Sequence, residues 1–307
     1  MNLVEYGIDT SQLREITLAD KPKIDSLLSL APNLGCENCF TNLFVWRGIY
    51  LLKLLYIAED RAVIYNGRDK CIYFPIGRIP SPRELLEIHR AFSENKLLLP
   101  DSRIYNVPPD YPEKFPEARA MFDFDANPGE ADYIYDVEKQ IALTGPKLRK
   151  KRNHIKHFTA QNPNASVEPM GESNFKSVLR FMDSEDDKKH LFAEEVAIAE
   201  AFENFRTLGL YGTVLYSEPG KIAAAAVMGP MSSTAHSVHF EKSDKLVEGA
   251  SQMIVKCEAQ FILEHGGKFM NREQDLGDPN LRHAKESLDP DFMYGRLGAK
   301  PRKDATA

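Results

Sequence analysis

Six prolines fall between Leu97 and Gly129, at positions 100, 108, 109, 112, 116 and 128. Each removes a backbone donor and locks its own φ, so neither a long helix nor a central strand is expected across this stretch. The segment reads as a connection between two halves, with domains expected at 1–128 and 129–307. A chain of 307 residues agrees with that division, because a domain usually takes roughly 150 residues. With 43% hydrophobic and 27% charged residues, the chain can bury enough apolar surface to fold, which excludes disordered and collagen-like classes.

Several functions are disfavoured at this level. No run approaches the roughly 18 apolar residues of a membrane span; the greasiest stretch, 49–58, contains Lys53 and reads as a buried strand. The opening MNLVEYGIDT has neither the basic nor the apolar region of a secretory leader, so a cytoplasmic location is expected. A net charge of −6 gives no whole-molecule attraction to nucleic acid or anionic lipid, so such binding needs a local patch. Four cysteines make no disulfide framework, and Cys36-x-x-Cys39 lacks the second pair that a structural zinc site uses. Those two cysteines are read as small residues near a helix start, and no metal or cofactor is expected.

Hydrophobic spacing predicts helices at 18–30 (with Thr17 as cap), 39–46 and 82–91, and strands at 49–58, 62–65 and 71–75, with Asn66-Gly67 as a turn. Beyond the prolines it predicts a strand at 133–136, a basic helix at 147–160, a strand at 167–169, and helices at 175–182 and 191–208. Strands at 211–217, 221–228 and 234–241 follow, then a helix at 249–264 that Gly266-Gly267 stops. A strand at 268–271, a helix at 281–288 and a strand at 292–297 complete the chain.

Three groups carry candidate chemistry. Asn271-Arg272-Glu273-Gln274-Asp275-Leu276-Gly277 follows a strand, and α/β folds place ligands at the carboxyl ends of strands. Asn271, Glu273 and Asp275 share one face if that strand continues, and Arg272 suits an anion or a carboxylate. His239 and Glu241 lie two apart on a strand, so both are expected on the same side as a general acid/base pair. A solvated loop and a surface pair are the plain alternatives. Third, Lys147, Arg149, Lys150, Lys151, Arg152 and Lys156 crowd one helix; such a stripe suits phosphates of RNA or lipid headgroups. It also suits a solvated face balanced by Glu185-Asp186-Asp187. Lys285 lies on a helix from which it can reach back to the polar loop.

The second-half order of helix, three antiparallel strands, helix, strand, helix, strand resembles the acetyltransferase-like (GNAT) fold, and the first half has a shorter version. The expected fold class is therefore α/β (α+β): two tandem GNAT-like domains with mixed, largely antiparallel sheets. Acetyl-CoA enzymes of that fold carry a glycine-rich Q/R-x-x-G-x-G/A loop before the helix that binds pyrophosphate. Here that place reads Lys245-Leu246-Val247-Glu248-Gly249-Ala250, with a carboxylate where phosphates would lie, which disfavours coenzyme A.

Tyr133-x-Tyr135-Asp136, Leu143-Thr144-Gly145 through Arg152-Asn153 to Phe158, His239-x-Glu241, Glu248-Gly249, the Asn271–Gly277 run and Lys285 together resemble the soluble catalytic domain of the phosphatidylglycerol lysyltransferases, related to the Fem peptidyltransferases. The resemblance implies an aminoacyltransferase with aminoacyl-tRNA as donor and a lipid or peptide acceptor. It implies catalytic roles among His239, Glu241, Asn271, Arg272, Glu273, Asp275 and Lys285. Substrate contacts fall to the basic helix, Tyr135, Glu248 and Gly249. The full lysyltransferases carry many membrane spans that this sequence does not show. A non-catalytic anion- or protein-binding module and a CoA-dependent N-acyltransferase are the other readings. Oligomeric state is left open, a monomer being compatible.

Overall fold

The computed structural model describes residues 7–183 and 191–303. The chain forms two compact units, one reaching to Pro128 and rejoined from Gly295 onward, the other Gly129–Tyr294.

In the first unit, strands run in the order Arg14–Glu15, Leu52–Ala58, Arg61–Asn66, Cys71–Tyr73, Ile104–Val107, Leu297–Pro301 and Phe122–Ala126, with Ile76–Gly77 also beside Arg61–Asn66. Only the Cys71–Tyr73 and Ile104–Val107 pair is parallel among these. The helix Pro82–Glu94 starts as its sequence directs: Glu84 N–H donates to the Ser81 hydroxyl, and Ser81 N–H donates back to the Glu84 carboxylate at 2.8 Å. Its Leu85, Ile88 and Phe92 bury against the sheet residues Val63, Ile72 and Ile104. Each such side chain contributes about 1.5–3 kcal/mol.

Three expectations change here. Ile104–Val107 is an interior strand within the proline-rich stretch, because Pro100 and Pro108 flank it and leave its own donors intact. Arg47–Tyr50 is a helical turn and Leu51 takes φ 52°, so the strand expected from residue 49 begins at Leu52. The strand expected at 292–297 is two strands: Phe292–Tyr294 pairs with Asp132–Asp136, while Leu297–Pro301 lies between Ile104–Val107 and Phe122–Ala126. The expected domain 129–307 therefore loses its last segment to the first unit, where Ala299 is buried in the core.

The second unit is a sheet ordered Phe292–Tyr294, Asp132–Asp136, Phe269–Asn271, Ala235–Ser243, Lys221–Pro230, Tyr211–Glu218 and Ser166–Pro169. All pairs are antiparallel except Ala235–Ser243 with Phe269–Asn271. The long helix Ala250–Glu264 packs Ile254, Val255 and Ile262 against Ala224, Ala226, Met228 and Val238. Short alanines on the central strand let the helix lie close. Gly266, at φ 82°, ends it in the left-handed conformation that glycine adopts without strain.

Candidate functional site

The strand Ala235–Ser243 carries a bulge that decides the site. Phe240 pairs with Val227 and Val238 with Met228, so His239 has no opposite residue. The alternation of side chains is offset by one at that point. Val238 and Glu241 both lie opposite residues of the helix-side core, Met228 and Ala226, whereas His239 turns to the other face, against Gly229. A Cβ on Gly229 would come 3.0 Å from the imidazole Nε2. The expectation that His239 and Glu241 sit on one side is thus overturned by the extra residue.

On its own face the His239 imidazole faces Glu273, with Nδ1 3.4 Å from Oε1, and the Ser237 hydroxyl donates to the same oxygen at 3.1 Å. Asn271 donates to Asp132 at 3.1 Å and accepts the Glu273 N–H at 2.6 Å. That turn holds Glu273 at φ 58° and stops the strand at Asn271. Asn271, Glu273 and Asp275 consequently do not share a face. Asp275 is instead held by Tyr133, whose hydroxyl donates at 2.7 Å, and by both forks of Arg282 at 2.8 and 3.0 Å. Arg282 foremost, then Tyr133 and the Gly277 N–H against the cost of burial, hold the Asp275 carboxyl well below its usual range.

On the helix side, Arg272 sends one guanidinium nitrogen to Glu258 at 2.5 Å and the other to Glu241. Glu258 is fully buried on the long helix, and Glu241 is partly exposed. Burial pushes Glu258 well up, with Glu241 adding to the shift and Arg272 opposing it. Tyr135 beside them is pushed up by burial and donates its hydroxyl to the Lys285 carbonyl at 2.8 Å. The Lys285 ammonium donates to the backbone carbonyls of Arg272, at 2.6 Å, and Gln274, clamping the polar loop.

The basic helix begins at Arg149, not at residue 147, and runs to Gln161. Lys147 precedes it and pairs with Asp289 at 2.9 Å. Arg152 donates to the carbonyls of Leu143 and Gly145. Arg149, Lys150 and Lys156 face solvent. Lys151 turns inward and donates to the Ser287 hydroxyl at 2.7 Å, its ammonium shifted down by burial and then by Arg272. Glu248 is exposed near His154, and Gly249 has φ 82° at the start of the long helix. A Cβ there would lie 2.4 Å from the His154 carbonyl and 2.9 Å from Phe158. The acidic stretch Glu185-Asp186-Asp187 lies outside the described residues. In the first unit, Cys36 and Cys39 are buried before the helix Phe40–Val45, and the Cys39 thiol donates to the Cys36 carbonyl at 3.2 Å.

The sequence reading missed Glu258, Asp132, Ser237 and Arg282. Glu258 had a signal: it interrupts the helix face of Ile254, Val255 and Ile262, and a carboxylate there demands a partner. The others are ordinary polar positions until the sheet brings them together.

Among the described residues, no helix is long and apolar enough to cross a membrane. The fold resembles a protein of unknown function from Bacteroides thetaiotaomicron VPI-5482, with TM-score 0.85, 27% identity, and 95% of this chain and 99% of that one covered. It also resembles L-PGS from Bacillus licheniformis, at TM-score 0.65, 15% identity and 92% of each chain. FemX follows at 0.63, 9% identity, and 96% and 98% of the two chains. These likenesses and that to a tandem GNAT protein of the clavulanic acid pathway identify the two units as GNAT-like. An uncharacterized protein of Mycoplasmoides gallisepticum is 24% identical over 176 residues, which is 55% of this chain and only 56% of that relative's length. The family described as phosphatidylglycerol lysyltransferase, C-terminal, matches residues 29–296, so the chain belongs to that family.

Proposed function

We propose that this protein is an aminoacyltransferase that takes its acyl group from aminoacyl-tRNA and passes it to a hydroxyl or amine. The observation that carries the reading is the Arg272 cluster beside the basic helix: a partly exposed carboxylate, Glu241, is fixed by a guanidinium whose charge also reaches Lys151 on that helix. Arg149, Lys150 and Lys156 offer solvent-facing charge for phosphates in a chain that is otherwise acidic. Glu241 takes the proton of the acceptor as its oxygen or nitrogen attacks the ester carbon, and the ester bond to the ribose breaks with a proton passing to the departing oxygen. Arg272 stabilises negative charge developing on the carbonyl oxygen.

The start of the long helix supports a donor other than a CoA thioester, because the His154 carbonyl packs there on Gly249. The family description makes the hydroxyl of a phosphatidylglycerol-type lipid the first acceptor to try. The test is incubation with radiolabelled aminoacyl-tRNAs, phosphatidylglycerol vesicles and cell extract. Label in the lipid, peptide or protein fraction names the acceptor, and Glu241→Gln is expected to lower transfer by about 10²–10⁴-fold.

One feature favours a second reading, a non-catalytic binding module: Lys285 and Arg272 are engaged by the protein's own carbonyls and carboxylates. Folded protein that transfers nothing from any aminoacyl-tRNA supports that reading. A thermal shift with acetyl-CoA would revive the CoA-dependent alternative.

A further inference from the structure

We propose that Glu258 and Glu241 are held around Arg272 as one carboxylic acid and one carboxylate, with Glu258 storing the proton and acting as the positioning residue for Glu241. The chemistry rests on the transfer reading above, whereas the shared proton does not. A single guanidinium faces two carboxylates, at 2.5 Å for Glu258. Glu258 is 0% exposed, and among the described residues no donor group reaches its Oε1. A buried carboxylate oxygen without a donor is costly, and a proton turns it into a donor toward the neighbouring Glu241. The surroundings agree. Tyr135 approaches from the strand Asp132–Asp136, and Lys151 on the basic helix feels the Arg272 charge. The Cys257 thiol beside Glu258 on its own helix is itself pushed up, to about 12, by burial and by Glu258. Among the described residues, Arg272 is the cation paired with Glu258. Burial and Glu241 both favour its protonated form.

The arrangement has a consequence for transfer. When the acceptor's proton passes to Glu241, both carboxyls flanking Arg272 are neutral. The guanidinium then loses its counter-charge as the carbonyl oxygen becomes negative, so its full positive charge meets the oxyanion. The proton leaves Glu241 for the departing ribose oxygen, the carboxylate is restored, and Glu258 ends with the proton it began with.

The test is infrared spectroscopy of the carboxyl region on the full chain at neutral pH, comparing wild type with Glu258→Gln and Glu241→Gln. Wild type is expected to show one protonated carboxyl that Glu258→Gln lacks. Glu241→Gln is expected to lose it as well, because Glu258 then ionises as the only carboxylate facing Arg272. Glu258→Gln keeps a donor toward Glu241, so it is expected to fold, and it is expected to lower transfer by about tenfold because the positioning partner of Glu241 is changed. A wild-type spectrum without that band, or a band that survives Glu258→Gln, overturns the proposal. Since the spectra need no substrate, a band with no transfer sinks the aminoacyltransferase reading alone, and transfer with no band sinks the shared proton alone.

Discussion

Each unit sets an arginine against a glutamate, Arg61 buried in the first and Arg272 mostly covered in the second, and the charges that face the glutamate differ. In the first unit Arg61, 2% exposed, lies 3.4 Å from Glu84, which also takes Arg78 at 2.9 Å. Both guanidiniums converge on Glu84, and Arg78 also pairs with Asp60 at 3.0 Å. In the second unit one guanidinium, Arg272, is shared by two carboxylates. Burial opposes ionisation in both places. At Glu84 it is outweighed by Arg78, the Ser81 N–H and Arg61, which bring the carboxyl down to about 2. At Glu258 burial has Glu241 on its side and wins over Arg272. Whether a buried carboxyl is charged thus depends on which groups face it, cations and N–H donors at Glu84 and a second carboxylate at Glu258, rather than on the presence of an arginine.

Removal of each arginine is expected to separate the two sites most strongly. Arg272→Met leaves two carboxyls without a counter-charge and is expected to cost about 3–5 kcal/mol in urea unfolding. Arg61→Met leaves Glu84 with Arg78 and the Ser81 N–H and is expected to cost about 1–3 kcal/mol. Equal losses would erase the distinction.

The pH dependence of stability has opposite signs at the two sites. Glu84 is depressed when folded, so its contribution is complete above the unfolded value of about 4.3 and is lost as pH falls towards 2. Glu258 is raised when folded, so its contribution is complete below about 4.3 and is lost as pH rises through its folded value. Unfolding across pH is therefore expected to show Glu84→Gln flattening the acid side, and Glu258→Gln flattening the fall above that range. Glu258→Gln at neutral pH should cost under about 1 kcal/mol, because it copies the neutral acid. Glu84→Gln should cost about 1.5–3 kcal/mol, because it weakens bonds to a charged group.

The smallest effect on stability is expected where charge faces solvent. Lys150→Gln with Lys156→Gln should stay within about 0.5 kcal/mol of wild type. If the basic helix meets tRNA phosphates, the pair should lower the salt slope of tRNA binding by about 1.5–2, read by titration at several salt concentrations. An unchanged slope would move the tRNA contact elsewhere.

Much of this was readable from local pattern. The helix at 175–182 and the strands around Lys221–Pro230 follow from apolar spacing and from turns such as Gly220 at φ 79°. The polar loop was visible as chemistry at a strand end. The bulge was not, because no residue type around His239 demands one, yet it separates His239 from Glu241. The return of Leu297–Pro301 to the first unit was equally hidden, since a five-residue strand has no mark naming its partner strands.

Residue order alone determined most element types and the motif-bearing loop, because helix spacing, strand alternation and turn chemistry act over a few neighbouring positions. Only the tertiary structure decided which charges meet. Arg272 is 31 residues from Glu241 and 14 from Glu258. Their pairing and their shared charge depend on how a bulged strand, a buried helix and a loop converge where water screens them only in part.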